Sequence, residues 1–118
     1  MATRELTAAE FHELTSGDGI VLIDFWAEWC GPCKRFAPVY ERVSEKHPDI
    51  VFGKVDTEVE TGLAMEFNIS SIPTLMAVRD GVLVFAQPGA LPEAALESLI
   101  SQVRALDMTE VRARAEAA

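Results

Sequence analysis

Between Ile20 and Trp26 the chain reads Ile-Val-Leu-Ile-Asp-Phe-Trp, an apolar run of strand length interrupted by Asp24. A run without alternation suits a strand covered on both faces. Ile50 to Val55 is a second run of this kind, with Lys54 as its charged member. Between them, from Pro32 to about Lys46, Phe36, Val39, Tyr40 and Val43 recur at helical spacing. Pro38 lies inside that helix, removes one backbone hydrogen bond and predicts a kink; His47-Pro48-Asp49 ends it. Thr7-Ala8-Ala9-Glu10 has the capping-box pattern and predicts a helix to about Leu14, followed by the turn cluster Ser16-Gly17-Asp18-Gly19. Thr57, Val59 and Glu60 open a short helix through about Phe67, with Asn68 as its C-terminal cap. Thr74–Val78 and Val82–Phe85 flank Arg79-Asp80-Gly81, a hairpin signal. Pro92 stands where a first helical residue belongs, and Leu96, Leu99, Ile100, Val103 and Leu106 trace one apolar face behind it. Thr3–Leu6 is the remaining candidate for the first strand. The tail, Asp107 to Ala118, is mostly Ala, Arg and Glu and fits either an extension of the last helix or a frayed end. Strand–helix–strand units closed by a hairpin and a helix predict an α/β domain with a mixed sheet over residues 1–106, with 107–118 as a tail.

Composition narrows the function classes. A chain of 118 residues with 49% hydrophobic content can bury a core without staples. A net charge of −9 argues against nucleic acid and against an anionic membrane surface, both of which need clustered Lys and Arg. Solubility is the plain reading of that acidity. The segment Met1 to Thr7 carries no apolar leader core, and no stretch approaches the ~18 apolar residues of a membrane span, so the expected location is the cytoplasm.

The two cysteines both fall in Trp29-Cys30-Gly31-Pro32-Cys33. At this spacing they close a very short ring, which makes a weak staple and a good switch between dithiol and disulfide. The pentapeptide stands where a strand hands over to a helix. Cys30 then lies at the helix N-terminus, where free N–H groups and the helix dipole favour a thiolate, and Cys33 lies about one turn in. Cys30 is the candidate attacking thiol and Cys33 the candidate resolving thiol. A zinc half-site competes, but only His12 and His47 remain as soft ligands and neither has ligand spacing; no metal is expected. An inert buried pair is the second alternative, disfavoured because a turn opening a helix usually lies at the surface. Asp24 and Lys54 read from pattern alone as strand-end charges reaching water, and Pro73 as a strand-start proline.

Trp-Cys-Gly-Pro-Cys after a strand ending Asp24-Phe25-Trp26-Ala27 resembles the thioredoxin family, and the likeness extends from about residue 3 to 106. Pro38 is similar to its helix-kinking proline, Ser71-Ile72-Pro73-Thr74 to its cis-proline loop, Asp80-Gly81 to its hairpin, and Gly89-Ala90 to its third substrate-facing loop. Pro88 departs from the family, where a β-branched residue is common. The resemblance implies the thioredoxin fold, a central mixed five-stranded sheet flanked by four helices. It implies a buried Asp24 beneath Cys33, near Lys54, that accepts the Cys33 proton during resolution. It implies a cis bond between Ile72 and Pro73, packed against the cysteines, with the Ile72 backbone available to an extended substrate segment. Trp29, Ile72, Pro73, Gly89 and Ala90 are the implied substrate-binding rim, with Gly31 and Pro32 between the cysteines. Trp26 has the simpler expectation of core packing. Oxidising relatives carry His where Pro32 stands, so Gly31-Pro32 resembles the reducing members. The implied activity is a protein-disulfide reductase: a monomer without a cofactor, recharged by thioredoxin reductase. Ribonucleotide reductase, methionine sulfoxide reductase and peroxiredoxins are the implied substrate class. An oxidase or isomerase of the same fold, or a binding module indifferent to its cysteines, are the alternatives.

Overall fold

The computed structural model describes residues 2–117. Five strands run β1 (Thr3–Glu5), β2 (Ile20–Trp26), β3 (Val51–Asp56), β4 (Thr74–Arg79) and β5 (Val82–Pro88). The helices are α1 (Ala8–Thr15), α2 (Gly31–Lys46), α3 (Thr61–Glu66), α4 (Glu93–Ala105) and α5 (Met108–Ala117). In the sheet the order is β1-β3-β2-β4-β5; β1, β3 and β2 are parallel, and β4 and β5 are antiparallel to their neighbours.

The central place of β2 explains its unbroken apolar run. Ile20 and Leu22 face Phe36, Tyr40 and Val43 of α2 and Leu96, Ile100 and Val103 of α4. Val21, Ile23 and Phe25 face Phe11 of α1 and Leu63 of α3. Each such fully buried Leu, Ile or Phe contributes about 1.5–3 kcal/mol, so these two clusters hold the layers together. At Gly53 of β3 a Cβ would meet Leu6 Cδ1 at 2.5 Å and Ile23 Cδ1 at 3.2 Å. A side chain here would force the buried Leu6 and Ile23 side chains to shift.

The local signals act as their chemistry demands. The Thr7–Glu10 capping box opens α1. Asp80 and Gly81 both take positive φ, 51° and 82°, which closes the β4–β5 hairpin in two residues. Asn68, at φ 52°, follows the end of α3 in the left-handed region.

The structure corrects three boundaries. Pro92 is not the first residue of α4 but its extended N-cap, and the helix begins at Glu93. Thr57 does not open α3: its amide and hydroxyl both donate to the Trp26 carbonyl (2.9 and 3.1 Å), which ties it to the end of β2. The helix therefore starts at Thr61 behind Glu60. Four helices were expected, and five occur among the described residues. The backbone turns extended at Leu106, Asp107 Oδ1 accepts the amides of Thr109 and Glu110, and α5 begins as a separate helix. Arg79 donates to the carbonyls of Val103, Arg104 and Leu106 and so closes the end of α4. Arg112 ties α5 to the Asp80 carbonyl at 2.8 Å.

Candidate active site

Central β2 carries the chain to the C-terminal end of the parallel strands, and α2 starts there. Cys30 is the N-cap of α2, and Cys33 lies in its first turn. The two are joined as a disulfide with Cα atoms 5.2 Å apart. The Cys33 amide donates to Cys30 Sγ at 3.1 Å, so a free N–H of the helix N-terminus is aimed at the sulfur that would carry the thiolate. Cys30 Sγ also lies 3.7 Å from the Ile72 carbonyl oxygen. Both cysteines are nearly covered, at 3% and 2% exposure, packed with Ala27 and flanked by Trp26 and Ile72. A partner disulfide must therefore seat itself closely before it can react, so the surface around the pair matters as much as the pair.

That surface is built from separate loops. Trp29, Gly31 and Pro32 are exposed on the α2 side. Ile72 is half-buried and Pro73 buried, with a cis bond between them. Gly89 and Ala90 are exposed, and the Gly89 amide donates to the Pro73 carbonyl at 2.8 Å, which joins the third loop to the second. The Trp29 indole, 69% exposed, is oriented by a 2.7 Å hydrogen bond to Glu58 Oε1. Nothing in the local pattern singled out Glu58; the contact comes from the β3–α3 turn folding back toward the pentapeptide.

Asp24 does not reach water. It is fully buried, and neither carboxylate oxygen has a hydrogen-bond partner. Burial raises its pKa from 3.8 to about 7; Lys54 opposes the rise and Glu5 adds to it. The strand-end reading fails here because α2 lies over the C-terminal end of β2, while the sequence pattern records only the strand. Lys54 is half-buried, with Nζ 4.6 Å above the centre of the Trp26 ring. Trp26 thus packs between the cysteines and the Lys54 ammonium, and it is half-buried rather than a full core residue. Tyr40 of α2, fully buried beside this group, donates its hydroxyl to the Gly53 carbonyl at 2.8 Å. Its phenol is held well above its ordinary pKa by burial and, secondarily, by the Asp24 charge. The arrangement supplies a sulfur at a helix N-terminus, a second sulfur three residues on, and a buried carboxyl that titrates near neutrality.

Comparison with known proteins agrees with this chemistry. The thioredoxin family model matches residues 2–102. A putative thioredoxin 2 of Streptomyces coelicolor is 64% identical over 111 residues, covering 94% of this chain and 83% of the relative. Thioredoxin-2 of Saccharomyces cerevisiae is 38% identical over 104 residues, covering 87% of this chain and all of the relative. Among solved structures, Malassezia sympodialis thioredoxin superposes with a TM-score of 0.78 at 33% identity, covering 86% of this chain and 93% of that one. Plasmodium falciparum thioredoxin superposes with 0.77 at 40% identity, covering 84% and 97%.

Proposed function

The chain belongs to the thioredoxin family, and on that premise we propose that Cys30 attacks and Cys33 resolves in the dithiol–disulfide exchange it performs. The protein is a thiol-disulfide oxidoreductase that reduces protein disulfides and is recharged by a thioredoxin reductase. In the reduced protein the Cys30 thiolate attacks one sulfur of the partner disulfide. A Cys30–partner disulfide forms and the partner's other sulfur leaves as a thiolate. Cys33 then gives its proton to Asp24 and attacks Cys30 Sγ, forming the Cys30–Cys33 bond and releasing the second partner thiol. Two electrons pass to the partner, and one disulfide is exchanged for another.

The observation that carries this assignment is the Cys33 amide directed at Cys30 Sγ, which favours the thiolate at Cys30 and leaves the second sulfur for resolution. The unpartnered, buried Asp24 supports its part as proton acceptor, since a carboxyl with a pKa near 7 can take up a proton and return it at neutral pH. Trp29, Gly31, Pro32, Ile72, Pro73, Gly89 and Ala90 form the docking rim, with the Ile72 backbone pairing to an extended segment of the partner. Gly31 and Pro32 add no positive charge beside Cys30, which favours reduction over oxidation, and Lys54 moderates Asp24. The protein acts as a cytoplasmic monomer on ribonucleotide reductase, methionine sulfoxide reductase and peroxiredoxin-class partners. Among the described residues, no helix is long and apolar enough to cross a membrane.

The test is reduction of insulin disulfides with NADPH and a thioredoxin reductase, followed by single-turnover kinetics. Cys30→Ser should abolish reduction. Cys33→Ser should accumulate a mixed disulfide through Cys30, and trapping through the other sulfur would reverse the assignment. Asp24→Asn should slow resolution about tenfold or more at pH 7. An Asp24→Asn variant that resolves the mixed disulfide as fast as the parent protein throughout pH 6 to 8 would remove Asp24 from the proton step.

A further inference from the structure

Glu5, Lys54 and Asp24 stand side by side on three neighbouring strands. Glu5 is opposite Lys54 in the β1–β3 register, and Lys54 is opposite Asp24 in the β3–β2 register. Directly opposed residues of adjacent strands project to the same face. The three side chains therefore form one row of charges, negative, positive, negative, on the side of the sheet that α2 covers. Burial is graded along it: Glu5 exposed, Lys54 half-buried, Asp24 fully buried. The Lys54 ammonium sits over the Trp26 ring, and no group hydrogen-bonds either Asp24 oxygen. Its positive charge is thus shared by two carboxylates instead of being committed to the inner one.

We infer that Glu5 is a positioning residue for the proton step: it draws on the same Lys54 charge as Asp24 and so strengthens the buried carboxylate as an acceptor for the Cys33 proton. The inference rests on Asp24 being the proton acceptor of Cys33. The other groups around Asp24 leave the role to Glu5. From β4 the opposed residue is Leu75, which carries no charge. From α2 comes the Tyr40 phenol, neutral and bonded to the Gly53 carbonyl. Asp56, opposite Trp26 one rung along the β3–β2 pairing, acts on Glu5. Glu5 is exposed as a residue, but the walls of an adjoining cleft cover part of its carboxyl; that cover pushes the group up, and against the pull of Lys54 so does Asp56.

Glu5 is also the end of the row that meets the outside. It borders a cleft of about 410 Å³ whose walls include Leu6, Trp26, Asp56 and Val59. Asp24 has no such access, so the charge balance of a sealed site can be set from an open one. Two strand spacings put the Glu5 and Asp24 backbones about 10 Å apart. At that range, with the screening found inside proteins, one unit of charge moves a titration midpoint by ~0.5–1 pH unit.

The experiment follows the Asp24 carboxyl by ¹³C NMR titration in the full chain, alongside the pH profile of mixed-disulfide resolution. Glu5→Gln should lower the Asp24 midpoint by ~0.5–1 unit, and Glu5→Lys by about twice that. The rate profile should move down in pH by the same amounts. Glu10→Gln, which removes an exposed carboxylate from α1, should move neither. A packing effect would not follow this graded order with charge. An Asp24 midpoint unmoved in both Glu5 variants overturns the proposal, even if Asp24→Asn still slows resolution. A midpoint that moves while the rate profile stays fixed removes Asp24 from the proton step, and Glu5 with it.

Discussion

Asp24 and Asp49 carry the same side chain into two opposite environments. Asp49 lies on the surface before β3, where Arg104 of α4 grips both its oxygens at 2.7 and 3.0 Å. That pairing is the main reason its pKa falls to about 2. His47 joins the cluster, bonded to Glu97 at 2.6 Å and contacting Arg104 at 3.0 Å. Asp24 sits in the sheet with no partner, and its pKa rises to about 7. Roughly five units of acidity thus separate two residues of one type in one small domain. The paired carboxylate has given up reactivity for a contact between α4 and the loop before β3. The unpaired one is left to titrate near neutrality, the setting in which a group proposed for proton transfer is expected to sit.

The largest test of that contrast is the stability of Asp24→Asn in the oxidised protein. The folded pKa of Asp24 is raised, so the native state holds a proton that the unfolded chain releases between pH 3.8 and about 7. Stability must therefore fall across that window and level off above it. A displacement from 3.8 to about 7 corresponds to something on the order of 4 kcal/mol at pH 8. The asparagine amide would be buried without partners too, so the expected gain is about 2–4 kcal/mol at pH 8, shrinking below pH 5. Urea unfolding at pH 8 and pH 4.5 measures both. A variant no more stable than the parent at pH 8 would mean that Asp24 is solvated in solution.

A satisfied polar group beside the unsatisfied one sharpens the comparison. The Tyr40 hydroxyl is as deeply buried as Asp24 but donates to the Gly53 carbonyl. Tyr40→Phe should cost about 1–2 kcal/mol, because it leaves a buried carbonyl without its donor. The loss should be the same at every pH from 5 to 9. A pH-dependent loss would show that the phenol also acts on Asp24, beyond its bond to Gly53.

The elements and the cysteine pair were legible in the chain because their signals are local. The run from Ile20 to Trp26, the Thr7–Glu10 cap, the Asp80-Gly81 turn and the placing of Cys30 before a helix each need only a few neighbouring residues. Asp24 was different. From pattern alone one aspartate in an apolar run reads as a strand-end charge, while the family resemblance implied a buried one; the laying of α2 over β2 decides for burial. Glu5 and Glu58 were invisible for a related reason. Glu5 meets Lys54 and Asp24 through the alignment of parallel strands, which no local pattern sets, and Glu58 meets Trp29 through a turn folding back. Thr57 misled because a threonine before a polar stretch looks like a cap, whereas here it is held by the Trp26 carbonyl. The separate α5 did have a signal, Asp107 capping Thr109 and Glu110, hidden in a stretch whose composition suited a helix extension as well.

The smallest effect belongs to the surface pair, and it must run opposite in pH to that of Asp24. Asp49 has a folded pKa below its unfolded value, so its contribution is complete above pH 3.8 and disappears as the pH falls toward 2. Asp49→Asn should therefore lower stability slightly at pH 7 and make no difference near pH 2. Because the carboxylate is exposed and screened, 1 M salt should remove most of the loss. Acid and urea titrations of both variants set the two aspartates side by side: removing Asp24 should help most where the pH is high, and removing Asp49 should hurt only there. A loss at Asp49 that equalled the gain at Asp24, or that survived high salt, would show that the Arg104 pair holds α4 in place as strongly as the apolar core does. The contrast between a charge kept for contact and a charge kept for chemistry would then fail.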